Sequence, residues 1–404
     1  MQHAAADLGL EWQLPKLAVT FANDGRAPVP GEVIEGGADN LHHATRTTCR
    51  LCGECDIGCN YGAKNTLDYN YLSGAVKHDA VVKTLAEVRR IDPDPRAGYL
   101  VTYIVHDPSE TSGPRPAETK TLHADRLILA AGTFGSPYLL LRNRAAFPGL
   151  SPTLGTHFSG NGDLLTFITH TRRGAADGPS PRPLDSSIGP VITSAIRVAD
   201  EVDGVGAQGR GFYVEDGGNP AFLSYLIEAA DAPSLALRTG AFLLRRFWAH
   251  ATGNPRSNYS AQVSDLVRGK SATVLPLLAM GRDTADGVMS LRDGDLELNW
   301  TTESSRAYFD RVETTIARIA HSLQGRYMNT PLWLFKRVIT VHPLGGCSMG
   351  RDNKEGVVDS YGEVFGYPNL YVADGSVMPG PVGPNPSLTI AAFADRLADR
   401  ILKA

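Results

Sequence analysis

Four of the five cysteines in this chain lie in the stretch CRLCGECDIGC, at residues 49 to 59. They are Cys49, Cys52, Cys55 and Cys59, and their C-x2-C-x2-C-x3-C spacing is typical of the bacterial ferredoxin run that ligates a cubane iron–sulfur cluster. That run continues with proline, whereas Asn60 follows here. Thiolates also bind zinc tetrahedrally, although these gaps are short for such a site. An iron–sulfur cluster, a zinc ion and plain thiols are therefore all open interpretations.

Composition and charge exclude several classes of protein. The chain has 404 residues, 42% hydrophobic and 20% charged, which is typical of a globular protein. A net charge of −4 argues against nucleic-acid binding. No apolar run is long enough to span a bilayer, and the N-terminal sequence lacks the pattern of a signal peptide. Because the cysteines are clustered rather than dispersed, we expect a reducing, cytoplasmic location.

The elements that must position any site follow two patterns. VVKTLAEVRRI (81–91) and YLVTYIVHD (99–107) predict strands, and residues 122–144 predict a strand, a glycine turn and a helix. We expect that helix to be capped by Ser136 and to begin at Pro137, with its N-terminus able to face an anion.

Residues 151–335 predict a different architecture. Short apolar segments such as GDLLTFITH and GRGFYVEDGG, separated by polar turns, indicate an antiparallel sheet, and residues 305–323 have the periodicity of a helix. The C-terminal part returns to a strand, NLYVA, and a closing helix capped by Ser387, with an inward stripe that starts at Leu388. We predict a mixed α/β (α+β) fold.

One glycine motif is misleading. Residues 204–209, GVGAQG, match GxGxxG, but a dinucleotide-binding motif follows a strand and opens a helix. Here VADEVD precedes the motif and the strand-like FYVED follows it. We interpret these residues as a loop.

Two C-terminal motifs carry a family resemblance. HPLGGCSMG (342–350), followed by NLYVADGSVMPGPVGPNPSLTIAAFADRLADRI, resembles the end of glucose–methanol–choline (GMC) flavin oxidoreductases, the cholesterol-oxidase branch in particular. LILAAGTFGSPYLLLRN and the cysteine stretch with GAKNTLDYNYL are also similar to that family. The resemblance implies an FAD-binding, Rossmann-like domain over residues 1–150 and 336–404 and a substrate domain over 151–335. The family's opening strand–GxGxxG–helix unit is absent, so we expect this FAD domain to be incomplete.

The resemblance also implies chemistry: a base removes a hydroxyl proton while the carbinol hydride passes to flavin N5. His342 matches the family's active-site histidine, and imidazole exchanges protons near neutral pH. Asn385 matches a second polar residue that orients substrate or flavin. Glu215 corresponds to the glutamate that cholesterol oxidases place over their substrate. A buried structural histidine, a turn amide and a turn carboxylate are the alternatives.

The resemblance implies cofactor contacts at five further positions. Asp374 matches the residue that faces the ribityl–phosphate region of the flavin. The other positions lie at turns or helix starts, where backbone N–H groups can meet a phosphate, although each also suits a purely structural turn. They are Gly132, Gly135, Gly375 and Ser387.

We therefore expect an FAD-dependent oxidoreductase for a bulky hydrophobic alcohol, with a 3β-hydroxysteroid as the best candidate and oxygen or another acceptor for the electrons. The apolar stretch 221–248 suggests either peripheral membrane contact or buried helices. Two alternative functions stay open. One is an inactive or partner-dependent flavin-fold subunit, and the other is an iron–sulfur electron-transfer subunit.

Overall fold

The computed structural model describes residues 1–107, 118–173, 180–181, 188–200, 210–218, 274–330, 333 and 336–403. The GxGxxG match at 204–209 and the apolar stretch 221–248 lie outside the described residues. None of the helices in the described ranges is long and apolar enough to cross a bilayer.

The described helices and strands have the following bounds. The helices are α1 (Gln2–Leu8), α2 (Tyr71–Lys77), α3 (Gly132–Arg142), α4 (Arg306–Ser322) and α5 (Ser387–Lys403). The strands are β1 (Glu11–Gln13), β2 (Ala86–Pro93), β3 (Tyr99–Val105), β4 (Thr119–Ala124), β5 (Leu127–Leu129), β6 (Leu164–Thr169), β7 (Arg172–Arg173), β8 (Ser180–Pro181), β9 (Ala195–Val198), β10 (Phe212–Asp216), β11 (Leu275–Gly281), β12 (Val288–Arg292), β13 (Asp295–Asn299), β14 (Arg326–Asn329) and β15 (Leu370–Val372).

A parallel strand pair lies at the centre of the Rossmann-like part. β5 pairs with β15, with Leu127 opposite Leu370 and Leu129 opposite Val372. The antiparallel sheet β2-β3-β4 lies beside this pair, and its first two strands are the predicted ones. The core between these elements buries Leu129, Val372 and Phe147. Because β5 and β15 are parallel, the turns after both strands emerge at the same edge of the sheet.

The middle block forms the predicted antiparallel sheet, in the order β1-β9-β10-β11-β6-β14. α4 covers it with the stripe Tyr308, Val312, Ile316 and Ile319, all fully buried. The helical periodicity over residues 305–323 predicted this helix, and the mixed α/β fold class is confirmed. The first thirteen residues also belong to this sheet, since β1 pairs with β9 and α1 packs on α4. The predicted boundaries place them in the Rossmann-like part instead.

The predicted start of α3 is wrong by five residues. The helix begins at Gly132, so Ser136 and Pro137 lie inside its first turns. The physical reason is a contact from far along the chain, because the Gly132 N–H donates to Asp374 Oδ2 at 3.0 Å. Ser136 does not cap Pro137, since its hydroxyl also donates to Asp374 and accepts the Ala131 N–H. A remote carboxylate therefore replaces the expected local cap.

The predicted inward stripe of α5 is wrong at its first turn. Leu388 is 80% exposed, whereas Phe393 and Leu397 are buried. Successive helical residues are about 100° apart, so Leu388 lies about 140° around the axis from Phe393. Since Phe393 packs into the core beside Gly362, that rotation turns Leu388 outward.

Candidate active site

His342 is held by a buried carboxylate. Its Nδ1 lies 2.9 Å from Oδ1 of Asp163, which is fully buried. Oδ2 of Asp163 accepts the backbone N–H groups of Val341 and His342 at 2.8 and 3.2 Å. A carboxylate that accepts on both oxygens fixes the imidazole proton on Nδ1. Nε2 then keeps its lone pair, and it has no hydrogen-bond partner within the described part of the chain.

Glu215 and Asn385 form a second polar pair. Glu215 lies in β10 and is 3% exposed, and the Asn385 side-chain amide donates to its Oε1 at 2.9 Å. Oε2 of Glu215 is buried and lacks a partner among the described residues. Burial raises the pKa of Glu215, opposed by the Asn385 hydrogen bond and the charge of His342. The structure therefore brings Glu215 and Asn385 into direct contact, and His342 is near enough to influence the pKa of Glu215.

The sequence did not point to Asn161, which fixes the loop that carries Asn385. Asn161 is fully buried, and its Oδ1 accepts the N–H groups of Val382 and Gly383 at 2.9 and 2.8 Å. Its amide nitrogen donates to the carbonyls of Gly383 and Pro384 at 3.2 Å. The prolines of this loop restrict its backbone, but Asn161 determines where the loop lies.

Asn161 and Asp163 belong to one short segment, FSGNGD at residues 158–163. Asp283 anchors this segment from β11's C-terminal side, since it accepts the Ser159 hydroxyl and, at 3.0 Å, the Gly160 N–H. Burial raises the pKa of Asp283 to about 6. The mixture of Gly, Asn and Asp before a strand predicted only a turn, which is why sequence reasoning missed this support. Fully buried polar residues need hydrogen-bond partners, and that rule identifies it in the structure.

The HPLGGC turn needs glycine where it passes His342. Gly345 has φ of 89°, and a Cβ there would overlap the carbonyl oxygen of His157. The Thr133 hydroxyl of α3 donates to the carbonyl of Pro343 at 2.6 Å, which ties this turn to the Rossmann-like part. Cys347 is buried, and burial raises the pKa of its thiol far above the usual range.

The predicted cofactor residues divide into two groups. The Asp374 carboxylate is occupied within the chain, by Gly132 and Ser136 on Oδ2 and by Ser376 on Oδ1. The anion at the start of α3 is therefore Asp374 itself. Gly375 is a packing glycine, since a Cβ there would lie 3.0 Å from Thr133 Oγ1.

The remaining three predicted positions differ in the space around them. A Cβ on Gly135 would lie 2.7 Å from that of Ala131, so this glycine also serves packing. Gly132 has φ of 80° and open space where a Cβ would lie. Ser387 is exposed as the first residue of α5. Gly132 and Ser387 are therefore accessible to a ligand.

The four clustered cysteines are free thiols that line one cavity of about 240 Å³. Burial raises the pKa of the Cys49 thiol. Burial also acts to raise the pKa of Cys59, but backbone N–H groups of residues 61 to 64 outweigh it and lower that pKa. Among the residues that the structure describes, no three His, Cys, Asp or Glu side chains are placed to hold a single metal ion. This geometry argues against the zinc interpretation.

Comparisons with known families match both ends of the chain. Models described as GMC oxidoreductase match residues 18–154 and residues 303–394. The first match contains the cysteine run and the start of α3, and the second contains His342 and Asn385.

Individual relatives are similar over most of the chain. It is 30% identical to a cholesterol oxidase of Mycobacterium tuberculosis, over 96% of this chain and 65% of that protein. It is 27% identical to a cholesterol oxidase of Acinetobacter baumannii, over 91% of this chain and 64% of that protein. It is 24% identical to a long-chain-alcohol oxidase of Arabidopsis thaliana, over 87% of this chain and 46% of that protein. The chain thus spans less than two thirds of the length of these relatives.

A solved structure supports the same fold. Pyridoxine 4-oxidase from Mesorbium loti superposes with a TM-score of 0.54 at 18% identity, over 86% of this chain and 63% of that one. At this identity the likeness shows the fold alone.

Proposed function

This chain belongs to the GMC oxidoreductase family, and from that premise we propose that it acts in the FAD-dependent oxidation of a hydrophobic alcohol. The observation that carries the proposal is a pair of polar atoms without partners among the described residues, Nε2 of His342 and the buried Oε2 of Glu215. An alcohol hydroxyl offers one proton and accepts another hydrogen bond, so it matches such a pair.

The residues present fit the reacting end of an FAD site. The turns after β5 and β15 share one edge of the parallel pair, which is where α/β sheets bind their ligands. Gly132, at that edge, leaves open space that a Cβ would enter. We propose that Gly132 and Ser387 contact the cofactor and that Asp374 supports it indirectly by shaping the start of α3. When bound, FAD supplies an acceptor for the carbinol hydride.

The protein's own residues would manage the hydroxyl proton. His342 is the proposed base, because Asp163 holds the Nδ1–H tautomer and leaves the Nε2 lone pair available. The same carboxylate stabilises the imidazolium that forms when Nε2 takes the proton. Asn385 positions Glu215, and burial raises the pKa of that carboxyl. In its protonated form Glu215 can donate a hydrogen bond to the substrate oxygen.

Apolar surface near His342 supports a hydrophobic substrate. Val341, which precedes the histidine, is 60% exposed, and Ile339 is also exposed. The relatives named above include cholesterol oxidases and a long-chain-alcohol oxidase. We propose a 3β-hydroxysteroid as the substrate, with a long-chain primary alcohol as the second candidate. Oxygen or another acceptor would then reoxidise the flavin.

The test is anaerobic reduction of the purified, FAD-loaded protein by each alcohol. We expect a 3β-hydroxysteroid to bleach the flavin absorbance and His342→Ala to slow that bleaching by about 10²- to 10⁴-fold, the usual contribution of a general base. His321→Ala is the matched control, because this exposed histidine lies in the last turn of α4. Faster bleaching by a long-chain alcohol would favour the second candidate. A protein that binds no FAD, or whose flavin neither alcohol reduces, would instead fit the inactive or partner-dependent alternative.

A further inference from the structure

The cysteine-lined cavity plays no part in the alcohol chemistry above. Its walls come from residues 17–19, 49–64 and 190–192. All four thiols of the cysteine run border it, whereas Cys347 is buried in the core elsewhere. The C-x2-C-x2-C-x3-C run therefore gathers its sulfur atoms around one space.

The loop backbone directs the thiols toward this space. Leu51, Gly53 and Gly58 have left-handed φ values of 57°, 71° and 109°, and Cys55–Ile57 forms a 3₁₀ turn between the two glycines. Such a φ is costly for leucine, and strained residues of this kind cluster at functional sites. The N–H of Leu51 donates to Sγ of Cys49 at 3.4 Å. The strained residue thus places a donor on a sulfur atom.

Further donors face the last cysteine of the run. The backbone N–H groups of residues 61 to 64 lower the pKa of the Cys59 thiol against the opposing effect of burial. Thiolates bound to an iron–sulfur cluster accept hydrogen bonds of this kind, which help to set its reduction potential. Charged side chains give the cavity little net charge, because two cationic residues, Arg50 and Lys64, line it together with two acidic ones, Glu54 and Asp56. The backbone N–H donors therefore favour a thiolate-bound cluster more than the charged side chains do.

The dimensions distinguish a cluster from a single ion. Zinc holds each sulfur at about 2.3 Å, which places tetrahedral ligands about 3.8 Å apart. No group of three such ligands is placed around one ion in the described ranges. A space of about 240 Å³ has room for about eight waters, far more than one ion needs. A cubane binds each thiolate on a different iron atom, so it requires sulfurs around a wider space.

We propose that this cavity binds one [4Fe–4S] cluster, ligated by Cys49, Cys52, Cys55 and Cys59. Because all four thiols line a single cavity, all four serve the same cluster, unlike the fourth cysteine of a two-cluster ferredoxin. One backbone hydrogen bond links the wall of the cavity to the strand that carries Glu215. Ile192 lines its wall and donates its N–H to the carbonyl of Asp216, the residue after Glu215, at 3.1 Å.

The test measures iron and acid-labile sulfide in the full chain, free of FAD, after anaerobic purification and reconstitution. We expect about four of each per chain, a broad brown absorbance that dithionite bleaches, and an EPR signal from the reduced protein. Cys52→Ser and Cys55→Ser should each lose most of the iron. Cys347→Ala, whose thiol lies outside the cavity, should retain it. Circular dichroism of each variant separates lost ligation from lost folding.

Several results would overturn the proposal. They are a wild-type chain that stays colourless after reconstitution, one zinc per chain in place of iron, disulfides among the four cysteines by mass spectrometry, and full iron content in both serine variants. The wild-type measurement alone decides whether the chain binds a cluster, even where a variant fails to fold. Since it requires neither FAD nor an alcohol, its outcome is independent of the proposed alcohol oxidation.

Discussion

Replacement of Asp163 by asparagine tests whether the carboxylate sets the state of His342. Asparagine keeps one oxygen, and two backbone N–H groups, from Val341 and His342, lie 2.8 and 3.2 Å from Oδ2. If the amide oxygen takes that position, its NH₂ group faces His342 Nδ1, 2.9 Å from the present Oδ1. Two donors cannot share a hydrogen bond, so we expect the imidazole proton to move to Nε2.

The size of the effect follows from these contacts. Hydrogen bonds to a charged group contribute about 1.5–3 kcal/mol and neutral ones about 1 kcal/mol. Asp163→Asn should therefore lower the free energy of unfolding by about 1–3 kcal/mol while the fold persists. An Nε2 that carries a proton cannot accept one from a hydroxyl, so flavin reduction by substrate should slow by about 10²- to 10⁴-fold.

Long-range ¹H–¹⁵N NMR spectra identify which ring nitrogen carries the proton, and they need neither FAD nor substrate. We expect the Nδ1–H tautomer in the wild type and the Nε2–H tautomer in Asp163→Asn. Asp286→Asn is the control, because that carboxylate is exposed. A wild-type His342 protonated at Nε2, or a variant that keeps both the tautomer and the rate, would refute the reasoning.

Three further predictions concern the support of the site. Asn161→Ala removes the acceptor of two backbone N–H groups, those of Val382 and Gly383, and should lower the free energy of unfolding in urea by about 2–4 kcal/mol. A loss below about 0.5 kcal/mol would contradict its role. The pKa of Asp283 is about 6 in the folded protein, against an ordinary value of 3.8, so the folded state binds its proton more tightly than the unfolded state does. The resulting contribution to the free energy of unfolding is fully present below about pH 4. About 3 kcal/mol of it is lost as the pH rises through 6. Asp283→Asn should flatten that slope in unfolding curves between pH 4 and 7, and an unchanged slope would contradict the assignment. Gly345→Ala should prevent folding or displace His342, as judged by circular dichroism and NMR, and a native-like variant would show that the turn tolerates a Cβ.

Local patterns predicted the elements, and motifs predicted the candidate catalytic residues. The buried stripe of α4 follows from helical periodicity alone, because it depends only on the spacing of apolar residues within one segment. His342, Asn385 and Glu215 were found through two motifs and a strand end, and the structure brings them together. The sequence could not show their support, since Asp163 lies 179 residues from His342 and Asn161 lies 222 residues from Gly383.

The error at α3 has the same cause. Local capping rules favoured Ser136, and they would hold if no other acceptor reached the helix. Asp374, 242 residues from Gly132, reaches it and extends the helix toward its N-terminus. Contacts of this kind are fixed by the packing of β5 beside β15, and neither strand alone predicts which loops will meet.

Asn161 and Asp163 are two residues apart, yet one positions Asn385 and the other positions His342. The geometry of these two proposed catalytic residues therefore depends on one backbone segment rather than on two independent supports. Asp283 holds that segment through hydrogen bonds from Ser159 and Gly160. Its carboxylate is buried, and the loss of hydration of the charged form raises its pKa. A substitution at Asp283 should consequently disturb His342 and Asn385 together, so its effect on flavin reduction should be less than additive with Asp163→Asn. Strict additivity in that double-mutant cycle would mean that the two supports act separately.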